Sequence, residues 1–188
     1  MFVIKNSLVQ SHNIIASIVE QGDTVIDATA GNGNDTVFLA NLVGEEGRVF
    51  SFDIQERALN TTLRKLSEKQ LQDRVTLIND GHQNVEKYVK GPVKAVMFNL
   101  GYLPGGDHSI GTKASTTIAA IKSSMELVEK HGIISIVVYY GGDSGFDEKN
   151  QVMSFLETID CKHYTVMKTA FINQINCPPI LVCIEKIK

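Results

Sequence analysis

A chain of 188 residues is long enough to bury an extensive core and short enough to be read as one domain. It is 43% apolar and 21% charged, an ordinary globular composition, and no apolar run reaches the length of a membrane span. A net charge of −3 argues against non-specific binding along a nucleic-acid backbone, while leaving room for a small RNA footprint on a local basic patch. Cys161, Cys177 and Cys183 are odd in number and lack Cys-x-x-Cys spacing, and the first residues lack the order of a signal peptide. Reduced thiols in a cytoplasmic protein are therefore expected.

The apolar spacing of Leu8, Ile14, Ile15, Ile18 and Val19 predicts a first helix over Ser7 to Glu20, ended by Gln21-Gly22-Asp23. His12 on that helix reads as a solvated side chain, with a substrate contact as the alternative. Val25 and Ile26 form a buried strand that stops at Asp27. A loop of small residues follows, Ala28-Thr-Ala-Gly-Asn-Gly-Asn34, and a helix runs from Asp35 to Val43. Arg48 to Asp53 is a second strand. Gln55 to Lys69 is a helix with Ala58, Leu59, Thr62, Leu63 and Leu66 inward and a basic face, Arg57, Arg64, Lys65 and Lys69, in solvent. A third strand, Val75 to Asn79, leads into Asp80-Gly81-His82 and a short helix through Val89. Val93 to Asn99 is a fourth strand, Ser115 to Lys130 a long helix and Gly132 to Tyr139 a fifth strand. Asp147 to Thr158 is a helix. The closing strands, His163–Phe171 and Ile180–Glu185, have no helix between them, which predicts an antiparallel hairpin added to a parallel sheet.

This alternation is that of a doubly wound α/β sheet, in which ligands sit outside the carboxyl ends of the strands. The loop after the first strand is the natural cofactor seat, because only small side chains let a ligand approach the backbone closely. A third glycine of the dinucleotide fingerprint is replaced by Thr36, and no Gly-Lys-Ser/Thr closes the loop as in a phosphate-binding P-loop. Asp27 suits a ligand that brings an ammonium group, whereas it would repel a pyrophosphate. Asp53 can accept two ribose hydroxyls, and Asp80 an adenine amino group. Each Asp alone can cap a helix or turn; together the three match S-adenosylmethionine. Candidate cofactor contacts are thus Asp27, the loop residues Ala30, Gly31, Asn32, Gly33, Asn34, Asp35 and Thr36, then Asp53, Ile54, Gln55, Asp80, Gly81, His82 and Asn99.

These residues resemble the class I S-adenosylmethionine-dependent methyltransferases over nearly the whole chain. That resemblance implies a Rossmann-like, seven-stranded, mostly parallel sheet of order 3-2-1-4-5-7-6 with strand 7 antiparallel. One position departs: the usual first glycine of the loop motif is Thr29 here. The segments Asp27–Asp35, Asn99-Leu-Gly-Tyr-Leu-Pro-Gly-Gly-Asp107 and Asn173…Asn176-Cys-Pro-Pro179 look like a small family first labelled rRNA methylases (the MnmM/YtqB type). Its members are associated with methylating the aminomethyl group of 5-aminomethyl-(2-thio)uridine at the tRNA wobble position. The resemblance implies an anticodon stem-loop as partner and a homodimer; the lack of a long apolar run and of metal spacing among His82, His108, His131 and His163 leads us to expect neither membrane nor metal.

Amino-group methyltransferases often carry Asn/Asp-Pro-Pro-Tyr/Phe after the fourth strand. Asn99-Leu-Gly-Tyr102 keeps its first and last residues and loses both prolines. Asn99 can accept from the amine and Tyr102 can stack on the base; a strand-end Asn with a packed Tyr is the structural alternative. Asp107 and His108 are candidate proton acceptors. Leu100, Gly101, Tyr102, Leu103, Pro104 and Gly105, with Tyr139, Tyr140, Gly141 and Gly142 from the second glycine-rich loop, are candidate substrate contacts. Lys5, Lys113 and Lys168 are equally open as phosphate contacts. Two rival functions remain at this point: the same chemistry on another RNA base or a small-molecule amine, and a nucleotide-binding module without catalysis.

Overall fold

The computed structural model describes residues 3–101, 111–140 and 145–188. The elements are α1 (Ser7–Ala16), β1 (Thr24–Asp27), α2 (Asn34–Val43), β2 (Arg48–Phe52), α3 (Glu56–Glu68), β3 (Val75–Ile78), α4 (Val85–Tyr88), β4 (Val93–Leu100), α5 (Ala114–Leu127), β5 (Val128–Val138), α6 (Gly145–Leu156), β6 (Tyr164–Thr169) and β7 (Ile180–Lys186). They build one sheet in the order β3-β2-β1-β4-β5-β7-β6. All pairings are parallel except those of β7, which runs antiparallel to both β5 and β6. The expected strand order and closing hairpin are both observed.

Both faces of the sheet are covered, so neighbouring strand residues bury on opposite sides. Ile26, Val96, Phe98 and Ile136 point into a core shared with α4, α5 and α6. Val25, Ala95 and Met97, one residue out of phase, point into a second core with Ile15 of α1, Leu39 of α2 and Leu66 of α3. Phe52 and Phe98 are fully buried or nearly so, each contributing about 1.5–3 kcal/mol of burial free energy. This double anchoring places the ends of β1 to β5 along one edge of the sheet.

Three expectations are corrected. α1 ends at Ala16 rather than Glu20: the Ser17 hydroxyl donates to the Ile14 carbonyl at 2.6 Å, and Ile18 and Val19 complete the apolar face from a turn. α5 ends at Leu127, because Val128 already pairs with Val93 in β5. The register then shifts before Ala95 meets Ile133, and His131 takes φ +64 in the intervening irregularity. A Cβ on Gly132 would meet the Lys94 carbonyl at 2.7 Å, which accounts for a glycine there. Leu63, expected inward on α3, is 47% exposed, since Ala58, Leu59, Thr62 and Leu66 fill the buried face. No helix among the described residues is long and apolar enough to cross a membrane.

Candidate active site

β1 ends in Asp27, which is completely buried. Its carboxylate accepts the Thr36 hydroxyl at 2.6 Å and the Thr29 N–H at 3.1 Å, and the Thr36 hydroxyl also lies 2.8 Å from that of Ser51. Asp27 therefore braces the loop from beneath, whereas the sequence reading gave it a direct place against a ligand. Burial, with the charge of Asp35 second, pushes its carboxyl up to about 7. An unfolded Asp titrates near 3.9, roughly. A folded value above the unfolded one gives stability that is complete below about pH 4 and is lost as pH rises through about 7. The free protein is expected to melt several degrees lower at about pH 8 than at about pH 5, and Asp27→Asn is expected to shrink that difference. Thermal unfolding of both at the two pH values checks this; an equal drop in the variant contradicts it.

The loop itself is pinned to both neighbouring strands: Ala28 N–H donates to Met97 O and Ala30 N–H to Phe52 O, each at 2.8 Å. Gly31 (φ +52) and Gly33 (φ +77) take left-handed turns before α2 begins. A Cβ on Gly33 would stand 2.7 Å from Thr62 Oγ1 and 2.9 Å from Thr62 Cα, so α2 and α3 meet through this glycine. Gly33→Ala is expected to cost at least about 1–2 kcal/mol from the left-handed backbone alone. That lowers the melting temperature by about 4 °C or more; a wild-type melt would contradict the close approach.

Asp53, just past β2, accepts the Gly31 N–H at 2.9 Å on one oxygen and the Gln55 N–H at 2.8 Å on the other. A carboxylate has about four acceptor sites, so both oxygens can take a further donor. Ile54 beside it is 60% exposed, an apolar side chain standing open at the mouth. Beyond β3, Asp80 accepts from Asn84 at 2.8 Å, Tyr88 at 2.9 Å and the Gly81 N–H at 2.7 Å. The bond from Asn84 is the main cause holding its carboxyl below the usual range. His82 is half-buried and its pKa is pushed down by that burial, so the ring is neutral near pH 7. Its Nδ1 faces the Ala28 carbonyl at 3.1 Å and must be the protonated nitrogen, since a carbonyl only accepts. An open acidic edge, a polar glycine loop and an exposed apolar side chain together fit an adenosyl group.

β4 ends where the methyl acceptor is expected. The Asn99 N–H donates to Thr29 Oγ1 at 2.8 Å, so the residue that stands in place of the family's loop glycine holds the strand end. Asn99 Nδ2 donates to Asp35 Oδ2, and Asp35 Oδ1 is 2.6 Å from His12 Nε2. His12 in turn stacks on Phe38, ring centroids 4.0 Å apart and planes 6° from parallel. His12 is thus tied to Asp35 rather than free in solvent, and the other Asp35 oxygen holds the Asn99 side chain. Asn99 Oδ1 is buried and has no hydrogen-bond partner among the described residues. An unpaired buried acceptor of this kind costs about 1–3 kcal/mol.

Leu100, expected to touch substrate, is fully buried in the core; its carbonyl accepts the Tyr139 N–H at 3.0 Å. Tyr139 is 43% exposed at the end of β5, its phenol pushed up by burial and then by the Asp35 charge. Tyr140 carries the Lys149 ammonium 4.9 Å from its ring centre. Gly101 is clasped by Thr112: N–H to Oγ1 at 3.0 Å one way, Thr112 N–H to Gly101 O at 3.0 Å the other. Glu148 of α6 accepts the hydroxyls of Thr112 (2.8 Å) and Thr117 (3.1 Å), and burial raises its carboxyl. Sequence reasoning missed Thr112 and Glu148, which lie 36 residues apart and carry no local signal. Tyr102, Leu103, Pro104, Gly105, Asp107, His108, Gly141 and Gly142 lie outside the described residues. No group of three or more His, Cys, Asp or Glu able to hold a metal ion occurs among the described residues.

Comparison with known proteins identifies the family. The family described as "Putative rRNA methylase" matches residues 49–185. A crystal structure of a Clostridium thermocellum protein described in the same words is 63% identical, covers 99% of this chain and 100% of its own, and superposes with a TM-score of 0.98. A Streptococcus mutans protein described as a methyltransferase, crystallised with SAH, is 45% identical over 98% of this chain and 100% of its own, with a TM-score of 0.91. The chloroplastic tRNA (mnm5s2U34)-methyltransferase of Arabidopsis thaliana is 34% identical over 196 residues, 99% of this chain and 71% of that protein. On the family match, the sheet order and the level of identity, the chain belongs to this rRNA-methylase family of class I methyltransferases.

Proposed function

We propose that the protein methylates the aminomethyl nitrogen of 5-aminomethyl-(2-thio)uridine at wobble position 34 of tRNA, using S-adenosyl-L-methionine, with the whole chain acting as one domain. The observation that carries the reading is Asn99 Oδ1, a buried acceptor at the end of β4 with no hydrogen-bond partner among the described residues. A relative that acts on the same uridine supports the choice of substrate. When bound, the cofactor supplies a methyl group activated on its sulfonium. The loop at Gly31 to Asp35 and the Asp53 carboxylate would hold its amino-acid and ribose parts, and Asp80 its adenine. Asn99 Oδ1 accepts an N–H of the amine, which leaves the nitrogen lone pair free to face the methyl. The new N–C bond forms as the C–S bond breaks. An ammonium must lose its proton first, and Asp107 or His108 takes it in this reading. Most of the rate comes from alignment, because a positioned amine and methyl need little covalent help.

The base reaches the site unstacked, as single-stranded RNA is generally read, with Tyr139 and Tyr140 as stacking surfaces. The protein works in the cytoplasm and as a homodimer in this reading. Ile172 and Ile175, 99% and 92% exposed, are apolar surface that a second copy would cover. The net charge of −3 favours a small-molecule amine as the second reading. Mass analysis of wobble nucleosides from cells lacking this protein separates the two. The tRNA reading expects 5-methylaminomethyl nucleosides to disappear and the unmethylated amine to accumulate; unchanged levels would overturn it.

A further inference from the structure

His12, Asp35 and Asn99 come from α1, the first turn of α2 and the end of β4, and they form one continuous hydrogen-bond chain. Its polarity is fixed by what each group can do. An ionised carboxylate only accepts, so both neighbours of Asp35 must donate: His12 through a protonated Nε2, Asn99 through its NH2. An amide whose NH2 is committed to Asp35 has its carbonyl oxygen at the other end, and that oxygen is the buried one with no partner among the described residues. The backbone of Asn99 is held separately by Thr29 at 2.8 Å, so the side-chain rotation is what remains to be set. Asp35 is 6% exposed, and the His12 ring is stacked flat on Phe38, which restrains its rotation. Turned the other way, the amide would present two N–H groups to an amine that needs an acceptor.

We infer that His12 is a positioning residue for methyl transfer: by holding Asp35, it fixes the Asn99 amide with its oxygen toward the amine. This deepens the proposed function and rests on Asn99 receiving the amine. It also explains why a histidine on α1, remote in sequence from the cofactor loop, reaches across to the first turn of α2.

The test uses the full chain, wild type, His12→Ala and His12→Gln, the glutamine placing an N–H where Nε2 stands. His12→Ala is expected to lower the single-turnover rate on tRNA carrying 5-aminomethyluridine about tenfold, through misplacement of the acceptor. S-adenosylmethionine affinity is expected to stay within about threefold, and His12→Gln to recover most of the rate. A structural role alone would lower stability without this split or rescue. Side-chain amide NMR of Asn99, assigned against Asn99→Ala, reads the same chain without turnover. The downfield shift of a carboxylate-bonded NH2 is expected in wild type and His12→Gln, and its loss in His12→Ala. Wild-type rate or an unchanged Asn99 resonance in His12→Ala would overturn the inference. If wild type itself transfers no methyl to that tRNA, the substrate reading fails, and the amide resonance alone decides the role of His12.

Discussion

Asn99→Ala is expected to slow single-turnover methyl transfer by about 10²-fold while leaving S-adenosylmethionine affinity within about threefold. That loss corresponds to about 2.7 kcal/mol. A single neutral hydrogen bond contributes only about 0.5–1.5 kcal/mol net, so the bond alone falls short and alignment of the amine must supply the rest. The alanine keeps the backbone bond to Thr29 and so keeps the end of β4 in place. It removes the Oδ1 acceptor and leaves Asp35 bonded to His12. Rapid-quench transfer from a preformed cofactor complex measures this directly. A wild-type rate would mean that Asn99 is a strand-end residue and nothing more.

Asp53→Ala is expected to produce the opposite split, a large loss in cofactor affinity. In the free protein its two oxygens already hold the Gly31 and Gln55 N–H groups, which fixes the loop and the start of α3. The remaining acceptor sites are those proposed for the ribose hydroxyls. Bonds to a charged acceptor are worth about 1.5–3 kcal/mol each, so losing one to the ligand weakens binding by about 10–100-fold. Calorimetric titration with S-adenosylhomocysteine checks it. Asp53→Asn, which retains one acceptor oxygen, is expected to fall between; wild-type affinity in Asp53→Ala would remove Asp53 from the binding site.

The fold was readable because each strand carries its own evidence. Val25 beside Ile26, and Met97 beside Phe98, are apolar on both faces, which only a covered parallel sheet requires. The glycine loop and the Asp residues at three strand ends are local too, and they fall on the edge where they were expected. Element ends were less readable. Ser17 stops α1 through its own hydroxyl, and the irregularity around His131 starts β5 within an apolar run that also suits a helix.

The acceptor end was the least legible part. Asp35 lies 23 residues from His12 and 64 from Asn99 in the chain. Their meeting depends on α1 packing beside β5 and β7, a tertiary fact with no local pattern. The same holds for Glu148, 36 residues from Thr112. Buried Asp27 shows the converse: the residue type was visible, but its direction depends on Thr36 and Ser51 closing over it.

The most direct measurement of the central claim is methyl transfer from labelled S-adenosylmethionine to tRNA that lacks this modification, followed by nucleoside mass analysis. The account predicts label in tRNA and a gain of one methyl on 5-aminomethyl-(2-thio)uridine at position 34. Intact cofactor binding with no label in that nucleoside would contradict it, leaving the fold and family in place and sending the search to other RNAs and small amines.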